Sequence, residues 1–189
     1  MGPRGLLLCG GASVRFGRDK LLEEIGEPPE PMAVVSARTF VRALGRVLAV
    51  TRPGARDLRV LLEAAGCEVL EADRAVEGLG ESLAAGVAAS AEAEGWIVAL
   101  ADMPFIHEET IRAIRAAIEE GAAIAAPVNR ASGARGHPVG FARTLRGELL
   151  GLRGDEGARS VIRRHRDVVR LVAVDDAGIT RDIDRPEDL

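Results

Sequence analysis

Residues 96–104 read Trp-Ile-Val-Ala-Leu-Ala-Asp-Met-Pro. Six consecutive apolar residues with no helical spacing predict a buried strand from Trp96 to Ala101, ending in an aspartate held by a proline turn. On one side, Ser82 to Ala93 is an alanine-rich helical run ended by Gly95. On the other, Glu108 to Glu120 is amphipathic and stops at Gly121, before a strand at Ala122 to Ala126. The same alternation runs back to the N-terminus. Strands are predicted at Gly5 to Cys9, Arg46 to Thr51 and Cys67 to Leu70, and helices at Met32 to Leu44 and Ala55 to Ala65. Repeated strand–helix–strand units call for parallel strands with crossover helices. The expected fold is therefore α/β, a three-layer, doubly wound, mostly parallel sheet.

After Pro127 the rhythm changes. Residues 128–141 carry several Gly and Arg and end in His137-Pro138-Val139-Gly140-Phe141, which reads as an irregular loop or hairpin. Helices are expected near Thr144 to Leu150 and Ala158 to His165, then a strand at Val168 to Val174. The prolines at 28, 29 and 31 read as a loop entering the first long helix, and a final helix is expected to start near Leu189.

Composition bounds the function. At 189 residues, 47% hydrophobic and 29% charged, the chain suits one globular domain spanning 1–189. A net charge of -4 argues against a general nucleic-acid-binding surface. No apolar run approaches the roughly 20 residues that span a bilayer. The run Leu6 to Cys9 is shorter than a signal-peptide core. Cys9 and Cys67 sit in strand-like runs without metal-ligand spacing, as expected of buried thiols in a reducing cytoplasm. Lys20 is the only lysine among 25 basic residues. A GC-rich coding bias yields such a pattern, and a lysine retained against it hints that a compact ammonium is required.

In sheets of this class, ligands gather beyond the carboxyl ends of the strands. Those loops hold the unusual residues. The first, Cys9 to Lys20, is neither a Walker A loop nor a dinucleotide fingerprint. It nevertheless combines small residues with the cations Arg15, Arg18 and Lys20, suiting either a polyphosphate or an ordinary turn with solvated charges. Asp102 suits Mg²⁺ or a helix cap. Asp182 and Asp184, two residues apart, share a face if extended, or form a solvated acidic tail. Ser82 reads as a helix N-cap or as part of a base-facing loop. His137 is structural or substrate-facing. Asp155 caps a helix, and Arg159 could reach an anion.

Taken in order, LLLCGGASVRFGRDKLL, EGLGESLAAGV, ALADMPFI, GHPVGF, GDEGAR and DIDRPEDL resemble the molybdenum cofactor nucleotidyltransferases. The resemblance covers Leu6 to Leu189 and is nearest the cytidylyltransferase branch. It implies a Rossmann-like nucleotidyltransferase fold and transfer of CMP from CTP to the phosphate of molybdopterin, with Mg²⁺ as cofactor and release of pyrophosphate. Gly10-Gly11 and Asp19-Lys20 look more like the guanylyltransferase branch, so GTP stays open, as does another phosphorylated acceptor. By resemblance, Gly10, Gly11, Ala12, Ser13, Arg15 and Lys20 hold the triphosphate, with Gly80 and Ser82 at the base and ribose. Asp102 and Asp184 carry the metal, and Arg15, Lys20 and Asp102 form the catalytic set. His137, Asp155, Arg159 and Asp182 lie toward the acceptor. Implied partners are the nucleoside triphosphate, a molybdopterin-type phosphomonoester, and a molybdoenzyme or cofactor chaperone; nucleic acid and membrane are not expected. Two non-enzymatic alternatives are a molybdopterin-binding chaperone and a purely structural domain.

Overall fold

The computed structural model describes residues 2–10 and 19–184. In chain order these form β1 (Arg4–Cys9), a short ribbon of β2 (Glu24–Ile25) and β3 (Glu30–Pro31), α1 (Met32–Leu44), β4 (Val47–Thr51), α2 (Arg56–Ala64) and β5 (Glu68–Glu71). There follow α3 (Leu79–Ala89), β6 (Gly95–Leu100), α4 (Glu108–Glu119), β7 (Ile124–Asn129), β8 (Val139–Ala142), α5 (Arg146–Leu150), α6 (Arg159–Arg164) and β9 (Val169–Val174).

Seven strands make one sheet in the order β5-β4-β1-β6-β8-β7-β9. All neighbours are parallel except β8, which runs antiparallel to both β6 and β7. The mostly parallel α/β expectation holds. Alternation along β1 explains the three layers: Leu7 and Cys9 pack with Phe40, Leu58 and Ile111 on one face, while Leu6 and Leu8 pack with Leu83 and Val161 on the other. Both faces are thus covered by helices, and all six residues of β1 are buried.

Three local expectations are refined by the structure. Of the loop and hairpin readings of residues 128–141, the hairpin is realised: Val139–Ala142 form β8, antiparallel to β7 and seated between β6 and β7. Helix α3 starts at Leu79 rather than Ser82 and ends at Ala89. The early stop follows from Ser90, whose hydroxyl donates to the Gly86 carbonyl (2.5 Å) and accepts from the Trp96 indole (2.9 Å). Proline-rich residues 27–31 close the small β2–β3 ribbon instead of a plain loop. The helix expected near Leu189 lies outside the described residues. Among the described residues, no helix is long and apolar enough to cross a membrane. Cys9 and Cys67 are free and buried.

Candidate functional site

Strands β1 and β6 are adjacent and parallel, so the segments that follow them emerge at the same edge of the sheet. Asp102 lies two residues past the end of β6, its position fixed because Ser36 of α1 donates to the Ala101 carbonyl at 2.8 Å and Ala101 N–H donates to Leu8 O at 3.1 Å. Lys20 opens a short 3-10 turn (Lys20–Leu22) capped by the Asp19 carboxylate, which also pairs with Arg52 at 2.8 Å. The third contributor arrives from the far end of the chain. Residues 176–184 cross the strand ends as a strap, and Ile183 N–H donates to Asp102 O at 3.0 Å.

These three segments converge on one ammonium. Lys20 Nζ donates to Asp102 Oδ2 at 2.7 Å, to Asp184 Oδ1 at 2.8 Å and to the Ile183 carbonyl at 3.0 Å. Burial opposes charge on Lys20, but hydrogen bonds to Asp102 and Asp184, reinforced by their negative charge, outweigh it and hold its pKa above the ordinary lysine value. The ammonium is therefore permanently charged near neutrality. Asp102 Oδ1 is buried and has no hydrogen-bond partner among the described residues. A carboxylate oxygen left so costs free energy unless a cation or donor meets it. Burial, followed by the charges of Cys67, Asp102 and Asp19, pushes the Cys9 thiol well up, so it stays protonated.

Beside this cluster lies a cavity of about 450 Å³. Its floor includes Leu8, Val98, Leu100 and Phe141, and its rim His137, Arg135, Arg159 and Asp182. His137 is delivered by the close approach of its own backbone to the strap: its N–H donates to Ile179 O at 2.8 Å. A side chain at Gly136 would put Cβ 1.8 Å from that same oxygen, so only glycine fits. Burial lowers the His137 pKa, helped by the Arg159 charge and opposed by the Val98 backbone and by Asp102 and Asp182. The ring is neutral at pH 7, with Nδ1 buried and without a partner among the described residues.

Not every residue singled out in the sequence faces this space. Lys20, Asp102 and Asp184 meet; His137, Arg159 and Asp182 line the neighbouring cavity. Ser82 is fully buried, shares its hydroxyl proton between Ala75 O (3.4 Å) and Gly78 O (3.3 Å), and neither caps α3 nor opens to a ligand. Gly80 is buried too: a Cβ there would sit 2.8 Å from the carbonyls of Arg153 and Gly154, so it serves packing between two loops. Gly10 is packed against Ser82, 2.6 Å from its Oγ to an ideal Cβ. Asp155 is exposed in a separate 3-10 turn, Gly154–Glu156, while α6 starts at Arg159 without a side-chain cap. It is not a helix cap and is not among the cavity-lining residues. Asp182 and Asp184 lie in an extended segment rather than a strand. Gly11, Ala12, Ser13, Arg15 and Arg18 lie outside the described residues.

Sequence reading missed three contributors. Ser36 places Asp102 through a backbone bond, and Ile183 contributes only its carbonyl to Lys20. Buried Asp176 holds the strap, and its one sequence trace was Asp-Ala-Gly after β9, a pattern suited to an Asx-type turn.

Residues 5–168, which hold nearly all of the first strand, the Asp102 strand end and most of the cavity wall, match the MobA-like NTP transferase domain. The chain belongs to that family. Among MobA-like relatives, it is 28% identical over 195 residues to the purine catabolism protein PucB of Bacillus subtilis (strain 168), covering 97% of this chain and 92% of PucB. A solved Rv0371c homologue from Mycobacterium sp. strain JC1 superposes with a TM-score of 0.83 at 27% identity, covering 98% of this chain and 91% of the other. Rv0371c of Mycobacterium tuberculosis H37Rv, in a complex with manganese, gives 0.77 at 25% identity over 100% and 96% of the two chains. The fold and its NTP-transferase character are those of the MobA-like family.

Proposed function

We propose that this MobA-like transferase moves CMP from CTP to the phosphate of a molybdopterin-type acceptor, releasing pyrophosphate. The observation that carries the reading is the meeting of Lys20 with Asp102 and Asp184 next to a largely apolar cavity. An acceptor phosphate is already anionic at neutral pH, so its oxygen needs no strong base to attack the α-phosphorus. As that P–O bond forms, the bond to the β-phosphate breaks and pyrophosphate leaves. The obstacle is repulsion between two anions, and catalysis is chiefly positioning and charge neutralisation. Lys20 supplies fixed positive charge for this. The cavity accepts the apolar body of the acceptor, with neutral His137 offering its ring nitrogen and Arg159 its charge.

Mg²⁺ fits the donor set. Among the described residues no group of three or more His, Cys, Asp or Glu is placed to hold a metal, so a protein-only cage is not on offer. Magnesium commonly takes one or two carboxylates and completes its shell with phosphate oxygens and water. Asp102, whose Oδ1 has no partner among the described residues, and Asp184 are the carboxylates that would hold it. When bound, the ion would supply Lewis-acid neutralisation of phosphate oxygens. The manganese complex of the Rv0371c relative supports a divalent ion in this group of proteins. GTP is the second donor to consider, on the strength of Gly10-Gly11 and Asp19-Lys20, and a cytoplasmic setting accords with the free buried thiols.

The test is pyrophosphate release with each of the four nucleoside triphosphates, with and without molybdopterin and Mg²⁺. Release with CTP that requires both acceptor and metal is expected. Release with GTP alone would move the assignment to a guanylyltransferase. Stoichiometric acceptor binding without release would point to a carrier.

A further inference from the structure

Asp176 is 1% exposed, yet it lies outside the cavity and the Lys20 cluster. Its carboxylate is engaged from two directions. Oδ2 accepts from the His107 backbone N–H at 2.9 Å and from the Thr110 hydroxyl at 2.7 Å. Oδ1 accepts from Gly178 N–H at 2.8 Å, with His107 Nε2 3.9 Å away. The first pair belongs to the start of α4, where His107 makes no side-chain cap of its own. Asp176 therefore caps a helix distant in sequence, with its charge at the amide end.

The consequence lies in what the two arms carry. His107 is five residues after Asp102, on the same short loop. Gly178 is six residues before Asp184, on the strap. A single buried carboxylate thus ties together the two segments that present the Lys20-binding carboxylates. The strap is held again at Ile179 O by His137 N–H and at Ile183 N–H by Asp102 O, leaving little slack between the tie and the pair. Asn129 Nδ2 donates to Asp176 O at 3.1 Å and fixes the base of the strap to β7.

We infer that Asp176 is a positioning residue, setting the separation of Asp102 and Asp184 and so the affinity of that pair for a divalent cation. This rests on the metal reading under Proposed function. The carboxylate is specified chemically: three donors meet its two oxygens, so the amide of Asn would turn an N–H₂ toward a donor on one arm.

The test is Mn²⁺ alone, titrated into the full chain and followed by the loss of the free-ion electron paramagnetic resonance signal, well below each variant's melting temperature. Asp176→Asn should weaken Mn²⁺ binding about tenfold, the scale of losing a partner that orients metal ligands. Thr110→Val, which removes one donor and keeps the shape, should weaken it about threefold, and Thr110→Ser should restore it. Thr110→Val also serves if Asp176→Asn fails to fold. Asp184→Asn is the control. If it loses Mn²⁺ while Asp176→Asn and Thr110→Val bind as wild type, even with lowered melting temperatures, the positioning role is overturned alone. If Asp184→Asn binds as wild type, the metal reading falls and takes the inference with it.

Discussion

Lys20 and Asp102, 82 residues apart in the chain, meet at 2.7 Å between ammonium and carboxylate. The contact joins the first and fourth strand ends of a doubly wound sheet, where the topology brings loops together. Lysine matters here for its shape as well as its charge. Three hydrogen bonds radiate from one nitrogen to Asp102, Asp184 and Ile183 O. The planar fork of arginine cannot reproduce that arrangement in the same space. Lys20→Arg is expected to fold and to lose at least about tenfold in turnover, a loss of one well-placed contact. Steady-state kinetics beside a thermal melt will tell; full activity would make the lone lysine an accident of composition.

Ser82 and Gly10 should prove energetically coupled. Gly10→Ala drives a methyl toward Ser82 Oγ, 2.6 Å from the ideal Cβ. Ser82→Ala loses a buried hydroxyl bonded to two carbonyls, at a cost of about 1 kcal/mol. Because the second change removes the atom that the first collides with, the double variant should be more stable than the sum of the two losses. A denaturant double-mutant cycle measures this directly.

His137 makes a prediction about pH. Its folded pKa lies below the ordinary imidazole value of 6.5, because burial resists the charged form. The stability associated with the neutral ring is complete above 6.5 and is lost as pH falls through the lowered folded value. Wild type minus His137→Gln should therefore give a constant unfolding free-energy difference above pH 7. Below about 6.5 the difference should turn against wild type. Urea titrations across pH 5–8 check it, and a flat difference would mean that the ring is not desolvated.

Gly136→Ala tests the strap. With an ideal Cβ 1.8 Å from Ile179 O, one of the two segments must move. The expected cost is about 2–3 kcal/mol, a fall of roughly 5–10 °C in melting temperature, together with reduced turnover because His137 and Asp182 shift with it. Calorimetry and pyrophosphate release on one preparation would check both halves.

What could be read from the sequence follows from which interactions are local. Strand β6 and helix α4 were legible because apolar periodicity and the stop at Gly121 act within a few residues. Strand β8 was legible only as one arm of an alternative hairpin, since the four residues between Gly136-His137-Pro138 and Arg143 gain strand character from β6 and β7 on either side. Motif order pointed to Lys20, Asp102 and Asp184 before any geometry was known, and the fold brings them together. The burial of Ser82 and Gly80 in the first turns of α3, and the exposure of Asp155 in its own 3-10 turn, could not be read from residue type. Asp176 left almost no trace, since it acts on backbone N–H groups that every sequence possesses.

The central claim is that Lys20 neutralises charge as two phosphates approach. It is tested most directly by pyrophosphate release from CTP with molybdopterin and Mg²⁺, comparing wild type with Lys20→Ala at matched folded fraction. A loss of about 10²-fold or more in turnover, on the scale of one transition-state charge contact, is the predicted result. Turnover near that of wild type in a folded Lys20→Ala protein would contradict the account.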